Sequence, residues 1–292
     1  MKTVLLTGAT GFLGSHLLEA LLNVGYKVAI LKRSTSDTWR INHLLDVVKA
    51  YDIDTQQVEQ AFTDQRIDVI IHTACCYGRN GESICEIVES NLIFGLKLLD
   101  ACIKYSVGTF CNTDTLLNRS LNDYALSKKQ LTEWLKQKSD QVQVINLKLE
   151  HMYGPKDDAT KFVSWLLSQL RQGAAEIKLT SGEQLRDFIY IDDVVSAYMT
   201  VLAKVDELDR YNEFEVGKGT SIPVKSFIQT LKKSYEDKFG VSVTFLHFGA
   251  VSYREGEVMD FRVDNAGLMN LGWNPAYSLE KGLKLIIEDI KQ

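Results

Sequence analysis

The sequence predicts an α/β fold: a doubly wound parallel sheet followed by a smaller, less regular C-terminal lobe. Three observations predict it. Short apolar runs of strand length alternate with amphipathic stretches of helical period through the first half of the chain. The first run leads directly into the glycine-rich Gly8-Ala9-Thr10-Gly11-Phe12-Leu13-Gly14. The second half loses the alternation without any linker, and the chain holds only three prolines, so two lobes sharing one interface fit better than beads on a string.

Thr3–Thr7 is a short apolar run ending in glycines, hence a buried strand. Ser15–Val24 repeats leucines at helical spacing (Leu17, Leu18, Leu21, Leu22) and stops at Gly25. Lys27–Leu31 is the second strand, Val58–Asp64 a short helix, Val69–His72 a strand and Glu82–Tyr105 a long helix. Thr109–Asn112, Tyr124–Lys138 and Gln143–Leu149 complete the alternation as strand, helix and strand. Beyond them, Lys161–Gln172, Asp193–Leu202, Ile222–Gly240 and Leu279–Lys291 read as helices. Phe188–Ile191, Phe214–Val216 and Val243–His247 read as short strands. The expected division is a dinucleotide-binding domain over 1–154 plus about 188–217, and a second lobe over about 155–187 and 218–292.

The 292 residues suffice for that core, and the net charge of −5 comes without a basic run. Nucleic acid and membrane surfaces are therefore not expected partners. The pairs Lys128-Lys129 and Lys232-Lys233 read as solvated helix faces. No apolar run or leader pattern marks a membrane or secreted segment, so a cytoplasmic location is expected. Cys75, Cys76, Cys85, Cys102 and Cys111 are odd in number and form no C-x-x-C pair, which fits reduced, mostly buried thiols and no metal site.

Strand, Gly8-x-x-Gly11-x-x-Gly14, helix is the Rossmann arrangement for a dinucleotide. Glycines permit the tight turn and the close approach of backbone to pyrophosphate, and the helix N-terminus faces the phosphates. Thr10, Phe12 and Leu13 belong to the same loop. An acid at the end of the second strand would hold the ribose hydroxyl of NAD; here Lys32 and Arg33 stand there instead, suited to the 2′-phosphate of NADP. Asp37 lies near enough to keep NAD open.

Tyr124 and Lys128 lie one helical turn apart on one face. A cation ~4 Å from a phenol at an effective dielectric of ~20 contributes roughly 4 kcal/mol, or about three pKa units, enough to bring a tyrosine toward neutrality for acid–base work.

On these motifs the chain resembles the extended short-chain dehydrogenase/reductase family, the epimerase/dehydratase branch acting on nucleotide sugars. Asp52-Ile53 resembles its adenine-contacting position, His72-Thr73-Ala74 its H-x-A segment, and Asn91 its structural helix asparagine. Met152-Tyr153-Gly154-Pro155, Arg186-Asp187-Phe188 through Val194, Arg254-Glu255-Gly256-Glu257 and Leu271-Gly272-Trp273-Asn274-Pro275 resemble its later signatures. The resemblance implies Tyr124 and Lys128 as the catalytic pair, with Thr115 or Thr113 as the hydroxyl that bonds the substrate oxygen, Thr115 slightly preferred. It implies Thr73, Ala74 and Lys128 at the cofactor, and Arg186 and Arg254 at a nucleotide diphosphate.

Three departures narrow the reading. The loop from Thr115 to Tyr124 is short. Thr115 stands where 4,6-dehydratases carry glutamate, which disfavours dehydration. His151 replaces a usual asparagine and suits a phosphate or sugar hydroxyl. With the basic end of the second strand, the resemblance is greatest to 4-ketoreductases of the CDP-abequose and CDP-paratose synthase group. The expected activity is NADPH-dependent reduction of a 4-keto nucleotide sugar. A 4-epimerase with tightly bound NAD is the alternative enzyme, and a dinucleotide-sensing binding protein the alternative of another class. A homodimer through the helices 82–105 and 123–138 is expected of the family.

Overall fold

The computed structural model describes residues 2 to 290. Its first part builds a parallel sheet from β1 (Thr3–Thr7), β2 (Lys27–Lys32), β3 (Lys49–Asp52), β4 (Val69–His72), β5 (Thr109–Thr115) and β6 (Gln143–Leu149). β1 is the pivot: it pairs in parallel with β2 on one side and β4 on the other. β3 extends the first wing, and β5 and β6 the second, all in parallel. The helices α1 (Phe12–Asn23), α2 (Gln60–Asp64), α3 (Ile84–Val88), α4 (Phe94–Lys104) and α5 (Asp123–Gln137) are its crossovers. All five residues of β1 are buried, as a central strand covered on both faces demands. One core cluster runs from Leu5 and Ile70 to Phe62, Leu98, Phe110, Leu131 and Val144.

The helix expected over 82–105 contains a π turn, Glu89–Ile93, between α3 and α4. Asn91 sits in that turn, fully buried. β5 runs three residues beyond the expected strand, through Thr115, because Asp114 and Thr115 keep pairing with Lys148 and Leu149 of β6.

The remaining elements are β7 (Met152–Tyr153), α6 (Phe162–Arg171), β8 (Glu176–Leu179), β9 (Leu185–Arg186), β10 (Ile189–Tyr190), α7 (Ile191–Ala203), β11 (Tyr211–Val216), β12 (Ile222–Pro223), α8 (Val224–Phe239), β13 (Phe245–Phe248), α9 (Ala266–Asn270) and α10 (Leu279–Asp289). β11 returns to the main sheet beside β6, giving the strand order β11-β6-β5-β4-β1-β2-β3. The other short strands pair among themselves: β7 with β10 and β8 with β13 in parallel, β9 with β12 antiparallel. The end of the last expected helix, Lys291, lies outside the described residues.

The chain divides into two compact units. The first comprises 1–149, 195–215 and 267–273; the second comprises 150–194, 216–266 and 274–292. Within the first unit Trp273 is 2 % exposed and its indole N–H donates to Ser196 Oγ (2.8 Å). The second unit is cored on aromatics: Phe188 stacks on Phe227 at 3.8 Å, and Tyr153 meets the edge of Phe227 at 5.7 Å. In that unit Asp193 accepts the backbone N–H groups of Ala276 (2.6 Å) and Tyr277 (3.1 Å), which pins its first segment to its last. Among the described residues no helix is long and apolar enough to cross a membrane.

Candidate active site

The glycine loop closes on itself too tightly for side chains. Gly8 has φ +69°, and a Cβ there would meet Thr73 Oγ1 at 2.6 Å and Ala74 N at 2.7 Å. The Gly11 N–H donates to Gly8 O at 2.9 Å. A Cβ on Gly14 would lie 2.0 Å from that same carbonyl. α1 starts at Phe12 without a side-chain cap or an acid in its first turn, so its leading N–H groups remain available to an anion. Behind the loop, Thr73 Oγ1 donates to Thr7 O (2.7 Å), the Ala74 N–H donates to Thr7 Oγ1 (3.3 Å), and Thr7 Oγ1 pairs with His72 Nδ1 (2.8 Å). The H-x-A segment is thus a brace that holds the loop in shape. These residues fit a dinucleotide: a side-chain-free cradle at a helix N-terminus, with rigid backing.

The two residues expected to share a 2′-phosphate differ in their surroundings. Lys32 Nζ lies 3.7 Å from Asp52 Oδ2, which also accepts from Ser34 Oγ at 2.8 Å. That serine and Lys32 hold the Asp52 carboxyl below the usual range. Arg33 is exposed. The Ile53 N–H donates to Lys32 O (2.9 Å), so the adenine-side residues Asp52 and Ile53 are tied to the end of β2. Arg40, which the sequence reading missed, reaches back to the loop: its Nη1 donates to Thr10 O at 3.3 Å while its guanidinium lies over the Trp39 ring at 4.4 Å.

α5 carries the tyrosine–lysine pair. Its N-cap Asn122 accepts the Ala125 N–H at 2.8 Å, which starts the helix one residue before Tyr124. The Tyr124 ring lies against Tyr77 at 4.9 Å. Lys128 is 1 % exposed. The Lys128-Lys129 pair is therefore not a solvated face: Lys129 bonds the buried Asp114 of β5 at 2.8 Å, an acid far away in sequence. The electrostatic expectation for Tyr124 is also corrected. Its proton affinity is raised well above the ordinary tyrosine value, first by burial and then by Cys75, Tyr77 and Asp114, against Arg79. Burial likewise lowers that of Lys128, with Cys75 and Asp114 opposing. A pairwise lysine–phenol attraction leaves out desolvation, and here desolvation dominates.

Thr113 and Thr115 differ in exposure. Thr113 is half-buried and its Oγ1 pairs with the Tyr198 hydroxyl at 2.6 Å. Thr115 is 3 % exposed and its Oγ1 accepts the Leu117 N–H at 3.2 Å. Asn91 accepts the Cys76 N–H (2.7 Å) and donates to Cys76 O (2.8 Å) and Ser127 Oγ (3.0 Å), which ties the segment after His72 to the residue before Lys128. The cysteines are all free, but only Cys102 and Cys111 are buried; Cys75 and Cys76 are half-buried and Cys85 is exposed, so the expectation of mostly buried thiols is corrected. Cys75 and Cys76 lie in the loop after β4, and Cys85 in the first turn of α3.

The second unit holds the expected substrate-side residues. Arg186 is 9 % exposed and donates to Leu185 O and Val258 O (both 2.7 Å) and to the Glu257 carboxylate. Arg254 is exposed on the loop after β13. Asp187, beside Arg186, accepts the N–H groups of Lys218 (2.7 Å) and Thr220 (3.0 Å), which explains that part of the motif as loop anchoring. His151 has φ +46°, a left-handed conformation for a non-glycine residue, and its ring meets Phe188 (5.7 Å) and Phe261 (5.9 Å) edge-on. Burial, with Arg186, lowers its imidazole to about 3, so it is neutral. Burial pushes the adjacent Glu150 carboxyl up to about 7. Glu150 Oε2 and His151 Nδ1 are buried and make no hydrogen bond.

The model of the NAD dependent epimerase/dehydratase family matches residues 4–217. The chain belongs to that family. CDP-abequose synthase of Salmonella typhimurium is 34 % identical over 295 residues, covering 98 % of this chain and 97 % of the relative. Among solved structures, UDP-glucose 4-epimerase of Thermotoga maritima with UDP-glucose matches with TM-score 0.85 at 24 % identity, over 98 % of each chain. The Thermus thermophilus UDP-glucose 4-epimerase complex with NAD matches with TM-score 0.81 at 22 % identity, again over 98 % of each. As an epimerase/dehydratase family member the chain has the sheet, the glycine loop and the Tyr-x-x-x-Lys helix in one unit of that shared fold.

Proposed function

We propose that this protein uses NADPH to reduce the 4-keto group of a nucleotide-activated deoxysugar of the CDP-4-keto-3,6-dideoxyhexose type. The observation that carries the reading is the 34 % identity to CDP-abequose synthase across 98 % of the chain. The first unit binds the dinucleotide and the second the nucleotide sugar. Gly8, Thr10, Gly11, Phe12 and Leu13 cradle the pyrophosphate, Asp52 and Ile53 flank the adenine, Thr73 and Ala74 back the loop, and Lys32 with Arg33 selects NADP over NAD. Bound NADPH supplies the hydride for carbon 4.

Tyr124 gives its proton to the alkoxide that develops on the sugar oxygen. Its raised proton affinity keeps it protonated at neutral pH, the state a general acid requires. Lys128 holds the nicotinamide ribose and offsets the phenolate left behind. Thr113, half-buried and paired with the Tyr198 hydroxyl, is the better donor to the sugar oxygen; Thr115 is 3 % exposed and its hydroxyl serves the Leu117 N–H. Arg186, Arg254 and His151 bind the diphosphate and sugar, Arg186 exchanging Glu257 for phosphate. Dehydration is disfavoured because Asp114 is held by Lys129 and Thr115 stands where a second acid would act. The exposed Ile84, Leu126 and Trp134 on α3 and α5 suit a homodimer through those helices.

The test is NADPH oxidation with a CDP-4-keto-6-deoxy sugar, alongside Tyr124→Phe. Wild-type turnover that falls at least ~100-fold in the variant supports the reading. Near-full turnover by Tyr124→Phe ends the proton-donor role. Conversion of a nucleotide sugar without added cofactor, by protein that purifies with NAD, selects 4-epimerisation instead. Cofactor binding without turnover across a panel of nucleotide sugars selects a sensing protein.

A further inference from the structure

We propose that Asp114 and Lys129 form a positioning pair that fixes α5, with Tyr124 and Lys128, against β5, with Thr113, and that balances the charge beneath them. The inference rests on the reading of Tyr124 and Lys128 as the reacting pair, but not on which sugar is reduced.

The side chain of Asp114 is 1 % exposed, so its charge is removed from water and its lone pairs must be satisfied within the protein. They are. Oδ1 accepts the Thr115 N–H at 2.7 Å. Oδ2 accepts Lys129 Nζ at 2.8 Å and Asn146 Nδ2 at 3.2 Å. Lys129 also donates to Thr115 O, so one ammonium grips both the side chain and the main chain of β5. Asn146 continues the network: its Oδ1 accepts from Asn112 Nδ2 (2.8 Å), and its amide N–H donates to Glu213 of β11 (3.0 Å). Glu213 is paired in turn with Lys148 (2.8 Å), which also meets Glu215 (3.2 Å). Carboxylate, amide and ammonium thus cross three strands and one helix.

An apolar pair would hold helix to sheet equally well, but it would not fix register. Hydrogen bonds and charge do, because a shift of one residue leaves a buried ion unpaired. The two anchor residues adjoin the chemistry on both sides: Asp114 follows Thr113, and Lys129 follows Lys128. Their hydrogen bonds go to each other, to Thr115 and to Asn146, which makes them positioning residues rather than catalytic ones.

The pair also acts through its charge. The groups that bear on Tyr124 are Cys75, Tyr77 and Arg79 from the segment after β4, and Asp114 from β5. Those bearing on Lys128 are Cys75, Asp114 and Lys129, while Lys128 in turn acts on His72. Asp114 raises the proton affinity of both Tyr124 and Lys128, and Lys129 lowers that of Lys128. Neutralising either partner therefore disturbs the site in opposite senses.

That opposition supplies the test. Ionisation of Tyr124 is followed by ultraviolet difference spectroscopy of the full-length protein against Tyr124→Phe, a measurement that needs no substrate. Asp114→Asn is expected to lower the Tyr124 midpoint by about one pH unit, and Lys129→Met, which leaves the carboxylate uncompensated, to raise it by about as much. The double variant falls between them. Lys129→Arg, which keeps the charge, stays near wild type. Where turnover is measurable, kcat falls about 10-fold in either single variant with KM nearly unchanged. Midpoints that move in the same direction in Asp114→Asn and Lys129→Met, or that stay put while both variants lose only thermal stability, overturn the proposal. If Asp114→Asn does not fold, the rise in Lys129→Met decides alone, and its absence overturns the proposal. Retained turnover in Tyr124→Phe would sink the proton-donor reading separately, leaving the charge balance tested on its own.

Discussion

Replacing Glu150 by glutamine removes one titration and little else, so its effect on stability can be worked out beforehand. The carboxyl is pushed up to about 7 from an ordinary 4.5, by burial and in spite of Arg186. Its side chain is 14 % exposed, so solvent screening is slight. An acid with a raised affinity in the folded state leaves stability intact below the unfolded value and erodes it as pH rises toward the folded one. The full gap, at ~1.4 kcal/mol per pKa unit, is about 3 kcal/mol. Linkage assigns under ~1 kcal/mol of that to about pH 5 and nearly all of it to about pH 8. His151 is neutral at both values, because its imidazole is lowered to about 3, and so it cancels. Glu150→Gln is therefore expected to match wild type within ~1 kcal/mol at about pH 5 and to exceed it by about 3 kcal/mol at about pH 8. Urea unfolding followed by tryptophan fluorescence, with equal m-values, reads the difference. Stability curves that run parallel across this pH range would refute the buried, proton-holding carboxyl.

Three further outcomes follow from the site. Gly14→Ala places a Cβ 2.0 Å from Gly8 O, so it should abolish measurable NADPH binding, as read by quenching of protein fluorescence, while circular dichroism stays helical and stranded. Arg33→Ser should weaken NADPH binding by roughly 10- to 100-fold and leave NADH binding unchanged, because only the 2′-phosphate loses its charged partner; equal losses for both cofactors would contradict the assignment. Thr113→Val should lower kcat by about 10- to 100-fold, and Thr115→Val by less, since the second hydroxyl serves Leu117; the reverse order would restore Thr115.

Much of the first unit was legible because its signals are local. β1 and the glycine loop are adjacent in sequence and agree with each other. β4 and β6 matched residue for residue, as buried central strands with hard edges should. β3 was missed: two of its four residues are exposed at a sheet edge, and its short run lacks an apolar signature. The π turn at Glu89–Ile93 was invisible because one extra residue per turn scarcely alters an apolar pattern. In the second unit β10 and β13 fall within or beside the runs expected at Phe188–Ile191 and Val243–His247, whereas β7, β8, β9 and β12, two to four residues each, fall below any periodicity. At the site, the residue types were readable and their partners were not. Lys129 meets Asp114 across fifteen positions, and Arg40 meets Thr10 across thirty. Lys128 is buried and Tyr124 half-buried by the fold, and their desolvation reverses an argument made from charge spacing alone.

Trp273 gives the interleaving of the two units a consequence for biosynthesis. It completes the core of the first unit, yet it belongs to the short stretch 267–273 near the chain's end. A nascent chain that has emitted all of β1 to β6 still lacks that indole and its bond to Ser196. Unlike domains that finish one after another as they leave the ribosome, neither unit here can close before the other has been almost wholly synthesised. The five junctions, after Leu149, Val194, Glu215, Ala266 and Trp273, also mean that no single cut separates them. Exchange of the second unit between relatives would require recombination at every junction, so new specificity in this chain is more readily acquired by point substitution than by transplantation.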